Sequence, residues 1–408
     1  MKKSNLIVKF LSLFVVSALL LTVSCDTDNT EEAELFQEKA PVAKYTSTPI
    51  PGQYIVVFNN NYAGKSATVK NLDYSDKLAM IASEIPNTFA KAGISKDDIV
   101  STFGFAVNGF AAKLSEHQLS ALKFDERIER VEQDYMITLS PINIYRGKPG
   151  SDGGTDPNQT IPWGITRVGG GSYNGSATAW IIDSGIDLDH PDLNVDVARS
   201  ASFLSRGDAD DQNGHGTHVA GTVAAIDNAI GVVGVAPGAT VVAVRVLDRR
   251  GSGSTSGVIA GVDYVAANAQ NGDVANMSLG GGVSTTLDNA VIAAAASGVK
   301  FALAAGNESD DANNHSPARA NHANIYTVSA MDSNDNFASF SNYGNPPIEF
   351  CAPGVSIASL WKSGGYNTIS GTSMAAPHVC GLLLLGNVAK DGTVNNDPDG
   401  NADDIAHH

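Results

Sequence analysis

Apolar positions fall into two regimes along this chain. From Gly52 to Leu139 they come in short runs broken by polar residues. Tyr54-Ile55-Val56-Val57-Phe58 reads as a strand, and Ser75 to Ala92 sets Leu78, Ile81 and Ile85 on one helical stripe. Phe103 to Leu114 reads as paired strands, and Ser115-Glu116-His117-Gln118 as a capping box opening a short helix that ends near Phe124. Ile128 to Leu139 returns to strand, and the order predicts a small α+β, ferredoxin-like sandwich over residues 52–139. Beyond Gln159 the apolar runs become nearly continuous and alternate with helical patterns. Candidate strands are Ala177 to Ile182, Thr240 to Leu247, Val274 to Leu279, Val299 to Ala304 and Ile325 to Met331. Candidate helices are Gly216 to Ala225, Thr255 to Ala269, Thr286 to Ala296 and Met374 to Leu385. Such alternation predicts an α/β domain over 159–408, a parallel sheet with helices on both faces. Its active groups are expected at the carboxyl ends of the strands.

The remaining segments lack periodicity. Residues 26–51 read as an acidic spacer, and the Gly- and Pro-rich stretch 140–158 as a linker. The acidic run Asn395 to Asp404 shows no final helix and reads as disordered or locally cation-bound. Residues 1–25 have the form of an export signal: Lys2 and Lys3 precede the apolar run Phe10 to Leu21, which is short for a membrane span. Leu21-Thr22-Val23-Ser24-Cys25 resembles a bacterial lipoprotein processing site, although Thr22 stands where leucine is usual. Cys25 is then a lipidated residue and a membrane attachment point; the alternative is an ordinary signal that contains a cysteine.

Composition narrows the partners. A content of 43% hydrophobic residues with 41 glycines over 408 residues suits a globular chain with many tight turns. The net charge of -17 argues against nucleic acid and is compatible with export and with carboxylate sites for cations. Cys351 and Cys380 lie in apolar surroundings and read as buried free thiols, a bridge between them remaining open.

Candidate chemistry sits at four places. Ser370-Gly371-Thr372-Ser373-Met374-Ala375-Ala376-Pro377-His378 surrounds one hydroxyl with small residues at the start of an apolar helix. Such a run alone is more often a helix cap than a nucleophile. Pro377, tolerated in a first turn, is taken to mark where the helix begins. Asp183 follows the apolar Ile181-Ile182, where an aspartate is also an ordinary turn former. His215 stands between glycines at a helix start; a metal site with His218 lacks a third ligand. Asn307 ends the strand that contains Ala304.

These four segments, in this order, resemble the subtilisin family of serine peptidases from about Gln159 to Gly386. The resemblance implies a triad in which Ser373 attacks, His215 moves the proton and Asp183 orients His215. It implies Asn307 and the Ser373 backbone N–H as donors to the oxyanion. Gly251-Ser252-Gly253 and Ser278-Leu279-Gly280-Gly281 resemble substrate-binding edges that take an extended peptide as an added strand. Ala304, Gly306 and the region of His315 would line the pocket for the residue before the cut, with Glu308 at its rim. The stretch from Asp227 to Pro237 resembles the family's principal calcium loop. Its ligands would be Gln159, Asp192, Asn228 and the carbonyls of Ile226, Ile230 and Val232. Glu349, with carbonyls near Ala323 and Ile325, is a second candidate.

The module over 52–139 resembles the family's inhibitory propeptide through Tyr54 to Phe58, Val107 to Ala112 and Val131-Glu132-Gln133-Asp134. A zymogen is implied, with the propeptide as intramolecular inhibitor and a cut between Thr138 and Asn158. The expectation is an exported, calcium-stabilised, monomeric serine endopeptidase acting on polypeptides. Two alternatives are peptide ligation or cyclisation by the same triad, and a catalytically silent peptide-binding protein. His190, His218 and His378 are expected to be structural.

Overall fold

The computed structural model describes residues 42, 44–59, 72–139 and 159–408, all within one compact unit, Lys39–His408. The export signal, Cys25, most of the spacer and the linker with its expected cut lie outside the described residues. Among those described, no helix is long and apolar enough to cross a membrane.

The first module begins earlier than the hydrophobic pattern suggested. β1 runs from Tyr45 to Phe58, so the end of the expected spacer is strand. Its first half, Tyr-Thr-Ser-Thr-Pro, carries no apolar alternation; it is strand because β4 (Ile128–Leu139) supplies a partner along that length. Between them come α1 (Tyr74–Thr88), β2 (Ile99–Phe103), β3 (Gly109–Lys113) and α2 (Glu116–Lys123). The capping box expected at Ser115 and Gln118 is present. Ile81, Ile85, Phe89, Phe110 and Leu122 form the core under the sheet, as an α+β sandwich requires.

The second module opens with α3 (Trp163–Arg167), β5 (Ala179–Asp183) and the two-residue strands β6 (Asn194–Val195) and β7 (Ala201–Ser202). Then follow α4 (His215–Ala224), β8 (Thr240–Arg245), β9 (Ser252–Ser254), α5 (Thr255–Asn268), β10 (Val274–Met277), α6 (Thr285–Ala296) and β11 (Lys300–Ala304). The chain continues through β12 (Ile325–Met331), β13 (Ile348–Pro353), β14 (Ile357–Trp361), β15 (Gly365–Ile369), α7 (Thr372–Leu385), β16 (Ala389–Thr393) and β17 (Asp404–His407). The central order is β13-β12-β11-β10-β5-β8, with every neighbouring pair parallel. One core packs α4 and α7 against one sheet face, and another packs α5 and α6 against the other. This is the doubly covered α/β sheet that the apolar runs predict.

Two expectations are corrected. The acidic tail is ordered: β16 pairs antiparallel with β17, which joins β13 through Cys351 and Ile405. Val394, Ile405 and Ala406 are buried there, so a few apolar positions anchor a polar segment. Pro377 lies inside α7 and not in its first turn. The lost hydrogen bond is made good from outside, because the carbonyl of Ser373, four residues earlier, accepts from the Ser278 hydroxyl at 2.7 Å. Cys351 and Cys380 are free and buried.

Candidate active site

Asp183 ends β5 and His215 opens α4, so a strand end meets a helix start. His215 Nδ1 lies 2.8 Å and 3.0 Å from the two Asp183 oxygens, and both side chains are fully buried. The glycines around His215 make this approach feasible. A Cβ on Gly216 would stand 2.1 Å from the Gly185 carbonyl, and Gly214 adopts φ 113° with the Trp361 ring where its side chain would be. Asp211 holds the loop beneath. Its carboxylate accepts from the Ser184 hydroxyl, the N–H groups of Asn213, Gly214 and Thr217, and the Thr217 hydroxyl. In the sequence Asp211 is one of several loop aspartates, and only burial distinguishes it.

Ser373 is the second residue of α7, after the N-cap Gly371. Its hydroxyl donates to the Ser278 carbonyl at 3.1 Å, and His215 Nε2 is buried without a hydrogen-bond partner among the described residues. Asn307 follows β11 and is 2% exposed. Its Oδ1 accepts from the Thr372 N–H at 2.8 Å and the Thr372 hydroxyl at 3.0 Å. Ser373, Asn307, Leu279, Gly280, Gly281, Ala304, Gly306, Glu308 and His315 share one pocket, together with Tyr45 of β1. The Glu308 carboxylate accepts from Asn342 at 2.8 Å and faces His315, so it is held against the wall.

Both expected edges meet the first module. β9, which includes Ser252 and Gly253, pairs antiparallel with the end of β4 through Met136–Ser254, Ile137–Gly253 and Thr138–Ser252. The Leu139 N–H donates to the Gly251 carbonyl. Ile137 shares a buried cluster with Leu247 and Leu279. Two carboxylates of β4 reach helix starts. Glu132 accepts from the Thr285 and Thr286 N–H groups at 2.9 Å and 3.0 Å, and Asp134 from the Ser256 N–H at 3.1 Å.

The candidate cation residues also converge. The Gln159 amide donates to the carbonyls of Ile226 (2.7 Å) and Val232 (3.3 Å), while its oxygen accepts from the Asn228 N–H. Asn228 donates to Asp192 at 2.7 Å, and its own oxygen accepts from the Ile230 N–H. Burial pushes the Asp192 carboxyl up to about 6, against the pull of Asn228 and backbone donors. Glu349 is separate. It accepts from the Thr327 N–H at 2.6 Å, and burial pushes its carboxyl up to about 8. His218 and His378 bond the carbonyls of Ile357 and Met374, and burial lowers them to about 3 and about 4.

Residues 178–394 match the Subtilase family, and residues 53–140 match the family called Peptidase inhibitor I9. An alkaline serine exoprotease A of Vibrio alginolyticus is 44% identical over 72% of this chain, which spans about half (54%) of that relative's length. An extracellular serine proteinase of a Thermus strain is 37% identical, covering 91% of this chain and 88% of the relative. A solved cold-adapted subtilisin-like serine proteinase is 39% identical, covering 60% of this chain and 97% of its own, with a TM-score of 0.49.

Proposed function

From the premise that this chain belongs to the subtilase family, with an inhibitor domain ahead of its catalytic domain, we propose that it is an exported serine endopeptidase made as a zymogen. One observation carries the reading. Ser373 lines a pocket whose wall, Tyr45, stands edge-on to His215 of the buried Asp183–His215 pair, and the β9 edge already holds an extended strand. Asp183 accepts the Nδ1 proton and leaves Nε2 as the base. Once the inhibitor domain has left, the remaining step is a turn of Ser373 Oγ from the Ser278 carbonyl towards His215 Nε2. Attack on a peptide carbonyl produces an oxyanion beside Asn307 and the Ser373 N–H. A fluorophosphonate probe labels Ser373 in the processed wild type, and Ser373→Ala abolishes both labelling and cleavage of internal peptide bonds. A processed protein that takes up no probe would remove the reading.

We also propose calcium between Gln159, Asp192, Asn228 and the carbonyls of Ile226, Ile230 and Val232. Two observations support it. An amide N–H group of Gln159 points at two of those carbonyls, where a positive charge is welcome. Asp192 is buried with no cationic partner among the described residues. With the amides turned, their oxygens would complete an all-oxygen set. Calcium at about 100 times its Kd then adds about 2.7 kcal/mol of stability, lost on chelation. Asp192→Ala removes that shift, and Glu349→Gln tests the second candidate in the same melts. Lipid attachment at Cys25 is the finer form of export; Cys25→Ser would release a lipid-held protein into the medium.

A further inference from the structure

The residues ahead of the inhibitor domain occupy the site themselves. The inhibitor match begins at residue 53, yet Tyr45 to Pro49 are already paired with Leu139 to Tyr135 of β4, antiparallel. Since β4 runs antiparallel to β9, Tyr45 to Pro49 run opposite to a peptide added at β9. Val42 makes a parallel bridge with Ser370, next to the start of α7. The Tyr45 hydroxyl donates at 3.0 Å to the Ser278 carbonyl, which also receives the Ser373 hydroxyl. The Tyr45 ring stands edge-on to His215, centroids 6.3 Å apart. With Tyr45 as a wall, the pocket keeps an open volume of about 20 Å³, room for roughly one water. Beyond it, the Ser47 hydroxyl accepts from the Gly282 N–H at 2.9 Å.

We propose that residues 44–49, with Val42 ahead of them, are a second inhibitory segment, whose strand Tyr45–Pro49 runs reversed along the Ser278–Gly282 edge with Tyr45 walling the pocket beside Ser373. The inference rests on the peptidase reading and adds the ligand that closes its pocket before maturation. A reversed backbone does not present its carbonyls to Ser373 in the order that an antiparallel strand on β9 does, so the segment blocks without being cut. Apart from the Val42–Ser370 bridge its backbone pairs with β4, so it leaves together with the inhibitor domain.

The test uses the full-length chain. Wild type, Tyr45→Ala and Tyr45→Phe are treated with a fluorophosphonate probe, and the uncut band is scored for label on Ser373. Tyr45→Ala is expected to raise the labelling rate of that band about tenfold or more. Tyr45→Phe, which keeps the ring and covers the case in which Tyr45→Ala misfolds, raises it about fivefold, the equivalent of one hydrogen bond. A synthetic peptide of residues 42–49 slows labelling of the processed enzyme, and the same peptide with Tyr45→Ala does not. Equal rates for the uncut wild type and both variants overturn the proposal, as do two peptides of equal effect. A processed wild type that takes no label overturns the peptidase reading itself, so the two failures are distinct.

Discussion

Asn307 is fixed through its oxygen, which Thr372 engages twice; the rest of the amide therefore offers donors. Asn307→Ala is expected to lower kcat by about 10²–10³ with a small change in KM, a size known from this class of site. Steady-state cleavage of a chromogenic peptide reads it, and an unchanged kcat would remove Asn307 from the oxyanion site. His378 carries a different prediction. Its folded pKa, about 4, lies below the ordinary value of 6.5 because burial disfavours the cation. The unfolded chain therefore binds a proton that the native chain refuses, and stability present above 6.5 is lost as pH falls towards about 4. His378→Gln should flatten that acid limb by about one proton, seen in denaturant midpoints across pH. Asp183, His215, Asn307 and Ser373 were legible as candidates because each stands beside small residues at the end of an apolar run or the start of a helix, and their roles came from the resemblance to the subtilisin family. Tyr45 and Asp211 were not. Their neighbours carry no such signal, and their roles arise from chain pairing and burial that sequence spacing does not encode.

At the scale of elements, the inhibitor domain is held partly by charge at helix starts. Glu132 serves the first turn of α6, and Asp134 that of α5, where unpaired N–H groups and the helix dipole favour a carboxylate. In a Ser373→Ala chain, which cannot cut itself, Glu132→Ala and Asp134→Ala should each cost about 1.5–3 kcal/mol of stability, the scale of a charged hydrogen bond. Urea unfolding of the uncut chain measures it; midpoints equal to the parent's would mean that these carboxylates hold nothing. The alternation of apolar strands and helices located β5, β8, β10, β11 and β12 to within a few residues, because strands buried on both faces must be nearly all apolar. β16 and β17 escaped notice because β16 is exposed along its whole length and the few buried apolar positions of the tail, Val394, Ile405 and Ala406, make no alternation. The position of Pro377 misled because the donor replacing its missing N–H, Ser278, lies ninety-five residues before Ser373, whose carbonyl it serves.

The whole uncut molecule is one sheet system joined to another: β9 extends the first module's order to β2-β3-β1-β4-β9. Besides the contacts of Val42, Tyr45 and Ser47, maturation must therefore peel a strand pair, two helix-start contacts and a buried anchor. That anchor is Asp263 of α5. It is buried and accepts the N–H groups of Gly104, Phe105 and Ala106 from the loop after β2. Lys77, which donates to the Gly104 carbonyl, and the phenols of Tyr74 and Tyr264 stand around it. Burial raises the Asp263 carboxyl to about 6 while the modules are docked. Once the inhibitor domain leaves, an exposed aspartate returns to about 3.9. Between these values the docked state holds a proton that the separated state does not, so the contribution to docking is fully present below about 3.9 and is lost as pH rises through about 6. Inhibitor-domain release from freshly processed protein should be faster near about pH 7.5 than near about pH 5, by size-exclusion chromatography of the cut complex. Asp263→Asn keeps an acceptor but removes the titration, so release should lose its dependence across that window. A variant whose release keeps the wild-type pH profile would place the proton elsewhere in the interface.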